Sequence, residues 1–157
     1  MSEENYKWLQ ANPPLRSRED RVALIEALRR GDVDFLATDH APHTKEEKLK
    51  GTSGTPQLDT YGGFAAWLMK ECDFTPRDIA RVCSFNPGQF VNNFRTERFG
   101  EIKEGFIGSL TVLDLSKNCL ISEQNLKTKC NWSPFTGRLF PGKVKYVIVR
   151  GRVFNTD

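Results

Sequence analysis

One aspartate and two histidines, Asp39, His40 and His43 in the run Ala37-Thr38-Asp39-His40-Ala41-Pro42-His43, are the groups of this sequence best suited to chemistry. A carboxylate and two imidazoles can hold a divalent metal, move a proton and bind an anion. The chain has two histidines, and both lie here. Asp39 can ligate a metal through one oxygen and shuttle a proton with the other. Spacing alone leaves a second reading open, an aspartate that caps the following turn. His43 stands four residues beyond Asp39, but Pro42 argues against a regular helix and places His43 in a loop. There it is either a ligand for an anionic or carbonyl-bearing group or an exposed or locally bonded histidine. His40 reads as a ligand or as a support for the end of a strand. A complete metal site is not encoded, because zinc takes three or four protein ligands and the chain has no HxH, HExxH or cysteine cluster.

Such groups need elements that carry them to one place. Val33 to Thr38 reads as a short strand buried on both faces, since its apolar side chains are interrupted only by Asp34 before Thr38. Upstream, Asn12-Pro13-Pro14-Leu15-Arg16 is a turn or extended segment. A helix should follow, with Ser17 as its cap and Asp20 in the reciprocal position. Val22, Ile25 and Leu28, or Leu24 and Leu28, recur at helical spacing, Arg29 and Arg30 suit the C-terminal dipole, and Gly31 suits a left-handed stop. Helix, glycine turn and buried strand is α/β grammar. Parallel α/β sheets and barrels place active groups just past the carboxyl ends of their strands, which is where Asp39 falls.

Thr44 to Gly54 is too charged for a core, and its glycines suit hinges, so the stretch reads as a lid beside the site or as a solvated loop. Beyond it the pattern predicts a helix over 60–71 carrying Phe64, Trp67 and Leu68. A second helix opens with Thr75 as cap, Pro76 at its first position and Asp78 at its third. Asn86-Pro87-Gly88 is expected to stop it, with Phe90 and Val91 turned back on the same core. From about Phe99 the texture becomes β-rich. Ile107 to Leu115 resembles a strand, Tyr146 to Phe154 a hairpin turning near Gly151, and Asn131-Trp132-Ser133-Pro134-Phe135 an ordered loop anchored by its aromatic pair.

At 157 residues the chain can build one domain with a core, but it is short of the roughly 250 residues of a closed (β/α) barrel. It is 38% hydrophobic and 27% charged, without the apolar stretch of about 18 residues that a membrane span needs. Met1-Ser2-Glu3-Glu4-Asn5 is polar and resembles no secretory signal, so a cytoplasmic location is expected. A net charge of +3, with both signs interspersed, gives no nucleic-acid stripe. Cys72, Cys83, Cys119 and Cys130 form no CxxC pair and read as reduced thiols.

Ala37-Thr38-Asp39-His40-Ala41-Pro42-His43-Thr44, preceded by Asn12-Pro13-Pro14-Leu15-Arg16-Ser17 and followed by Ser53-Gly54-Thr55-Pro56, resembles the C-terminal part of a dihydroorotase of the amidohydrolase superfamily. Phe85-Asn86-Pro87, Gly105 to Asp114, Ser133 to Gly137 and Val149 to Val153 agree, so the resemblance covers almost the whole chain. It implies the C-terminal part of a metal-dependent (β/α)8 TIM-type barrel over residues 1–98, with Val33 to Thr38 as the eighth strand. Residues 99–157 would give strands to a small β-sandwich domain. The implied reaction is reversible hydrolysis of dihydroorotate to N-carbamoyl-L-aspartate in pyrimidine synthesis, at a centre of one or two Zn2+ ions. On this resemblance Asp39 is metal ligand and general base and acid, His43 contacts the substrate carboxylate, Asn12 binds substrate, and the backbone of Ser53-Gly54 touches it.

The family's N-terminal HxH pair with its arginine, its bridging carboxylated lysine or aspartate, and its two middle-strand histidines have no counterpart in this sequence. The expected partner is therefore the missing N-terminal barrel segment, with a chain inactive alone. A homo-oligomer is a further possibility for the assembly. Two other readings accompany the first: a non-catalytic scaffold for aspartate carbamoyltransferase, and a hydantoinase or allantoinase relative.

Overall fold

The computed structural model describes residues 7–156. The expectation drawn on Met1 to Asn5 lies outside the described residues. A helical turn at 7–9 leads through the proline segment into α1, Arg18–Arg30. Ser17 and Asp20 form a complete capping box and Gly31 closes the helix with φ 90°, as the sequence predicts. Leu28 is buried and Ile25 joins the core, while Val22 and Leu24 stay exposed.

The segment 33–38 is extended but forms no strand, and Phe35 is exposed. This corrects the expectation of a strand buried on both faces. A strand exists only through lateral pairing, and no described strand lies beside this one. Its polar groups are held by helices instead: Leu36 N–H donates to Val82 O at 3.0 Å, Tyr61 OH donates to Leu36 O at 2.8 Å, and Asn86 Nδ2 donates to Asp34 O at 2.6 Å.

A second correction concerns the charged stretch after His43. Thr44 and Glu47 form a capping box that opens α2, Lys45–Leu49, and this helix turns Lys48 fully into the interior. A short 3-10 turn, Leu58–Thr60, leads into α3, Tyr61–Glu71. Next comes α4, Pro76–Ala80, opened by the Thr75–Asp78 capping box. Asn86-Pro87-Gly88 does not stop the helical path. A π-helical turn, Arg81–Phe85, carries it into α5, Asn86–Asn92. Asn86 N–H reaches back to Arg81 O, so Val82 O, its partner in a regular α-helix, is free to accept from Leu36. Phe90 and Val91 are exposed on α5, against the expectation that they join the core.

Leu28, Ala65, Leu68, Phe74, Ile79 and Val82 form the core, flanked by Ile25, Val33 and Leu36. Burial beside this core pushes the Tyr61 hydroxyl and the Cys83 thiol above their ordinary pKa values. All four cysteines are free thiols. The opposite side of α3 meets the β-rich part. A Cβ on Gly62 would stand 2.3 Å from Val144 Cγ2, so only glycine lets the helix approach the sheet this closely. Phe64, Phe135 and Phe140 stack edge to face across that contact, with centroids 5.0 to 6.0 Å apart.

The sheet places β1, Leu110–Asp114, and β5, Arg152–Asn155, on either side of β4, Lys143–Val149, all antiparallel. Arg150 and Gly151 at the β4–β5 turn both have positive φ, 50° and 82°, the geometry a tight hairpin requires. A small ladder pairs β2, Cys119–Leu120, with β3, Leu139–Phe140. Among the described residues no helix is long and apolar enough to cross a membrane.

Candidate active site

Asp39 follows the extended segment in a left-handed conformation, φ 45°, with an exposed side chain. An aspartate tolerates this region better than most residues, though at some cost. The turn-capping reading of Asp39 is not realised: Thr38 Oγ1 accepts the His40 N–H at 3.3 Å instead. Among the described residues the Asp39 carboxylate has no hydrogen-bond or ion-pair partner.

His40 supports the neighbouring loop through one ring nitrogen. Its Nδ1 accepts from the backbone N–H groups of Gln57 at 2.9 Å and Leu58 at 3.2 Å. Neutral His40 therefore carries its proton on Nε2. The residue also bridges Thr55 in parallel fashion, and Ala41 N–H donates to Thr55 O at 3.1 Å. This strip of backbone lays the 52–57 loop beside the Asp39–His43 loop.

His43 is half-buried, with Nδ1 3.7 Å from Glu47 Oε2. Hydrogen bonds from the Thr44 backbone N–H and hydroxyl, with a smaller contribution from His43, hold the Glu47 carboxyl below its usual range. The His43 carbonyl accepts from Trp132 Nε1 at 2.7 Å, and Trp132 is buried against Trp8. The expected aromatic anchoring of the 131–135 loop is thus divided. Trp132 ties the loop to the site, and Phe135 ties it to α3 through Phe64.

Gly54 lies directly against this loop: a Cβ there would stand 2.7 Å from Ala41 Cβ and 3.2 Å from His43 Cδ2. Its N–H donates to Gln10 O at 2.9 Å, two residues before Asn12. Asn12 and Ser53 are exposed. The fold therefore brings His43 and Gly54 together and ties the Gly54 loop to the segment that carries Asn12. Lys48, which sequence reasoning left on the surface, sits behind them. Its Nζ donates to Gln10 O at 2.9 Å, Thr52 O at 2.8 Å and Gly54 O at 2.9 Å. Burial pulls its pKa below the ordinary lysine value. The signal that could have found it is the Thr44–Glu47 capping box, which fixes the rotation of α2.

A cleft of about 520 Å³ runs between His40, His43 and Glu47 on one side and Asp59, Lys127 and Cys130 on the other; Asp39 stands outside it. Asp59 accepts from the Lys127 and Thr128 N–H groups at 3.1 and 3.0 Å, which holds the far wall. Among the described residues no group of three or more histidine, cysteine or acidic side chains could hold a metal. Asp39 is one ligand where zinc takes three or four, so these residues do not by themselves fit a metal centre.

Residues 4–154 match the model of the amidohydrolase family. The chain is 37% identical over 151 residues to a dihydroorotase of Clostridium acetobutylicum, covering 93% of this chain and 35% of that protein. It is 37% identical over 154 residues to a dihydroorotase of Pyrococcus horikoshii, covering 98% and 36% respectively. It thus spans about a third of the length of these relatives. Among solved structures, a D-hydantoinase from Thermus sp. superposes with a TM-score of 0.82 at 24% identity, over 96% of this chain and 35% of that one. An L-hydantoinase from Arthrobacter aurescens superposes with a TM-score of 0.79 at 21% identity, over 98% and 36%. At these identities the likeness is one of fold.

Proposed function

This chain belongs to the amidohydrolase family, and we propose that it supplies the C-terminal wall of a dihydroorotase site, which hydrolyses dihydroorotate to N-carbamoyl-L-aspartate and re-forms it. The observation that carries this reading is the meeting of the Asp39–His43 loop with the Gly54 loop, so close that a Cβ on Gly54 would stand 2.7 Å from Ala41 Cβ and 3.2 Å from His43 Cδ2. Identity of 37% to dihydroorotases over nearly the whole chain supports dihydroorotate over other cyclic amides.

The Asp39 carboxylate is exposed and has no competing partner among the described residues, so it can take a proton from the attacking water and return it to the ring nitrogen as the C–N bond breaks. The substrate is an anion. His43, the Asn12 amide and the backbone of Ser53-Gly54 would hold its carboxylate and set the amide carbon above Asp39. On the family resemblance Asp39 would be this chain's single ligand to a zinc centre whose other ligands lie in an N-terminal barrel segment outside it, and that centre would supply an acidified water.

The test is hydrolysis of dihydroorotate and of hydantoin by this chain alone and together with the N-terminal barrel segment, with zinc content measured in parallel. Turnover of dihydroorotate only by the assembled protein, lost by about 10²- to 10⁴-fold in Asp39→Asn, is expected. Faster turnover of hydantoin would shift the substrate. An assembly that binds aspartate carbamoyltransferase and hydrolyses neither compound would replace the enzymatic reading with the scaffold.

A further inference from the structure

Lys48 is the largest side chain wholly withdrawn from solvent, at 0% exposure. A buried ammonium is costly unless its donors are all matched. Here each of the three carbonyls it reaches, Gln10 O, Thr52 O and Gly54 O, lies at 2.8 to 2.9 Å. Three donors to three acceptors require the protonated form, since a neutral amine has only two N–H groups. No carboxylate of the described residues pairs with it, so its bonding capacity goes into backbone geometry and not into an ion pair.

The acceptors belong to two segments far apart in sequence. One leads to Asn12, and the other is the Ser53-Gly54 loop. Gln10 O accepts from both Lys48 Nζ and Gly54 N–H, so the segments are joined directly as well as through the ammonium. Trp132 closes the arrangement, with its ring centroid 6.0 Å from Nζ and its indole N–H on the His43 carbonyl. The capping box of α2 sets the origin of the side chain, because Lys48 N–H bonds back to Thr44 O at 3.1 Å, the residue next to His43.

We propose that Lys48 is the positioning residue of the substrate-binding wall, its ammonium joining the Asn12 segment and the Ser53-Gly54 loop to the His43 loop as one rigid unit. This rests on the dihydroorotase reading. Enclosed as it is, Lys48 cannot touch substrate. It acts by ordering, before binding, three groups that would otherwise be ordered at the expense of affinity.

The test uses the intact protein that carries this chain, followed by hydrogen exchange with mass spectrometry and by steady-state kinetics on dihydroorotate. Lys48→Met keeps the length and removes the donors. Exchange in peptides covering 8–12 and 50–57 is expected to rise together by about tenfold while α1 and β4 hold. The KM should rise about tenfold with kcat within about threefold. Lys48→Arg retains donors but cannot converge them on one nitrogen, so it should recover part of both losses. If Lys48→Met does not fold, Lys48→Arg decides: a smaller joint rise with a KM-led loss supports the proposal, and parent-like values overturn it. Unchanged exchange in either segment of Lys48→Met, or a loss confined to kcat, also overturns it. A parent protein without dihydroorotate turnover defeats the proposed reaction and the substrate-holding role with it, while the paired exchange still decides whether Lys48 couples the two segments.

Discussion

Gly54 concentrates two constraints that a side chain would violate at once. Its φ is 123°, and a Cβ would lie 2.7 Å from Ala41 Cβ and 2.9 Å from Ala41 O. Gly54→Ala should therefore cost about 2–4 kcal/mol, backbone strain and overpacking together. Gly105 has a similarly positive φ, 84°, with nothing within 4 Å. Gly105→Ala should cost only about 1 kcal/mol of left-handed strain. Equal losses for the two in urea titrations would show that the contact with the Ala41–His43 loop carries no weight. The same neighbourhood shows where sequence stops being legible. Asp39, His43 and Gly54 stand in short motifs and could be singled out. Lys48 is legible only through the Thr44–Glu47 capping box, because nothing else in Lys45-Glu46-Glu47-Lys48-Leu49-Lys50 separates one lysine from the others until the helix phase is known. Trp132 joins the site from 89 positions away through a backbone carbonyl, and composition leaves no trace of such a bond.

Among the elements, α4 offers the most direct test of local rules. The Thr75 hydroxyl and backbone N–H both bond Asp78 and hold its carboxyl below the usual aspartate range. Thr75→Ala should cost about 1 kcal/mol near neutral pH, read from thermal or chemical unfolding. The sign on the acid side follows from a depressed folded pKa. The carboxylate contributes its stabilisation above its unfolded value, near 4, and loses it as pH falls through the lower folded value. Thr75→Ala should therefore lose less stability than the parent between about pH 5 and pH 2. A constant difference across that range would remove Asp78 from the account. Elements defined by such caps, α1, α4 and the Arg150-Gly151 hairpin, were legible because their signals are local. Asn86-Pro87-Gly88 carries an equally local stop signal and was overridden. The π turn before it satisfies the chain without a regular ladder and frees Val82 O for Leu36, a partner 46 residues away. Val33 to Thr38 failed for the opposite reason: its apolar pattern fits a strand, but a strand needs a neighbour that the described residues do not provide.

That unpaired segment belongs to a larger exposed face of the molecule. Phe35, Phe90 and Phe94 are 38%, 56% and 73% exposed, yet Phe90 packs against both others, tilted on Phe35 and edge-on to Phe94, with centroids 6.1 and 5.4 Å apart. Single exposed apolar residues need no explanation, whereas a contiguous aromatic patch beside extended backbone without ladder partners is the form of a covered surface. In the proposed assembly the cover is the N-terminal barrel segment, whose last strand would pair along 33–38 and whose helices would close over α5. Phe94→Ser should then weaken assembly with that segment by about 2 kcal/mol or more, roughly thirtyfold in affinity, and lower hydrolysis in proportion. Ile102→Ser is the matched control: at 89% exposure it is more open than Phe94, but it stacks on none of these rings. Co-purification titrations of the two variants separate the cases. A loss in both would reflect general hydrophobic association, and a loss in neither would leave the aromatic face without a partner. A loss confined to Phe94→Ser would place the barrel seam at the C-terminal end of α5, and the dihydroorotate activity regained in the assembled parent would then belong to a site closed across that seam.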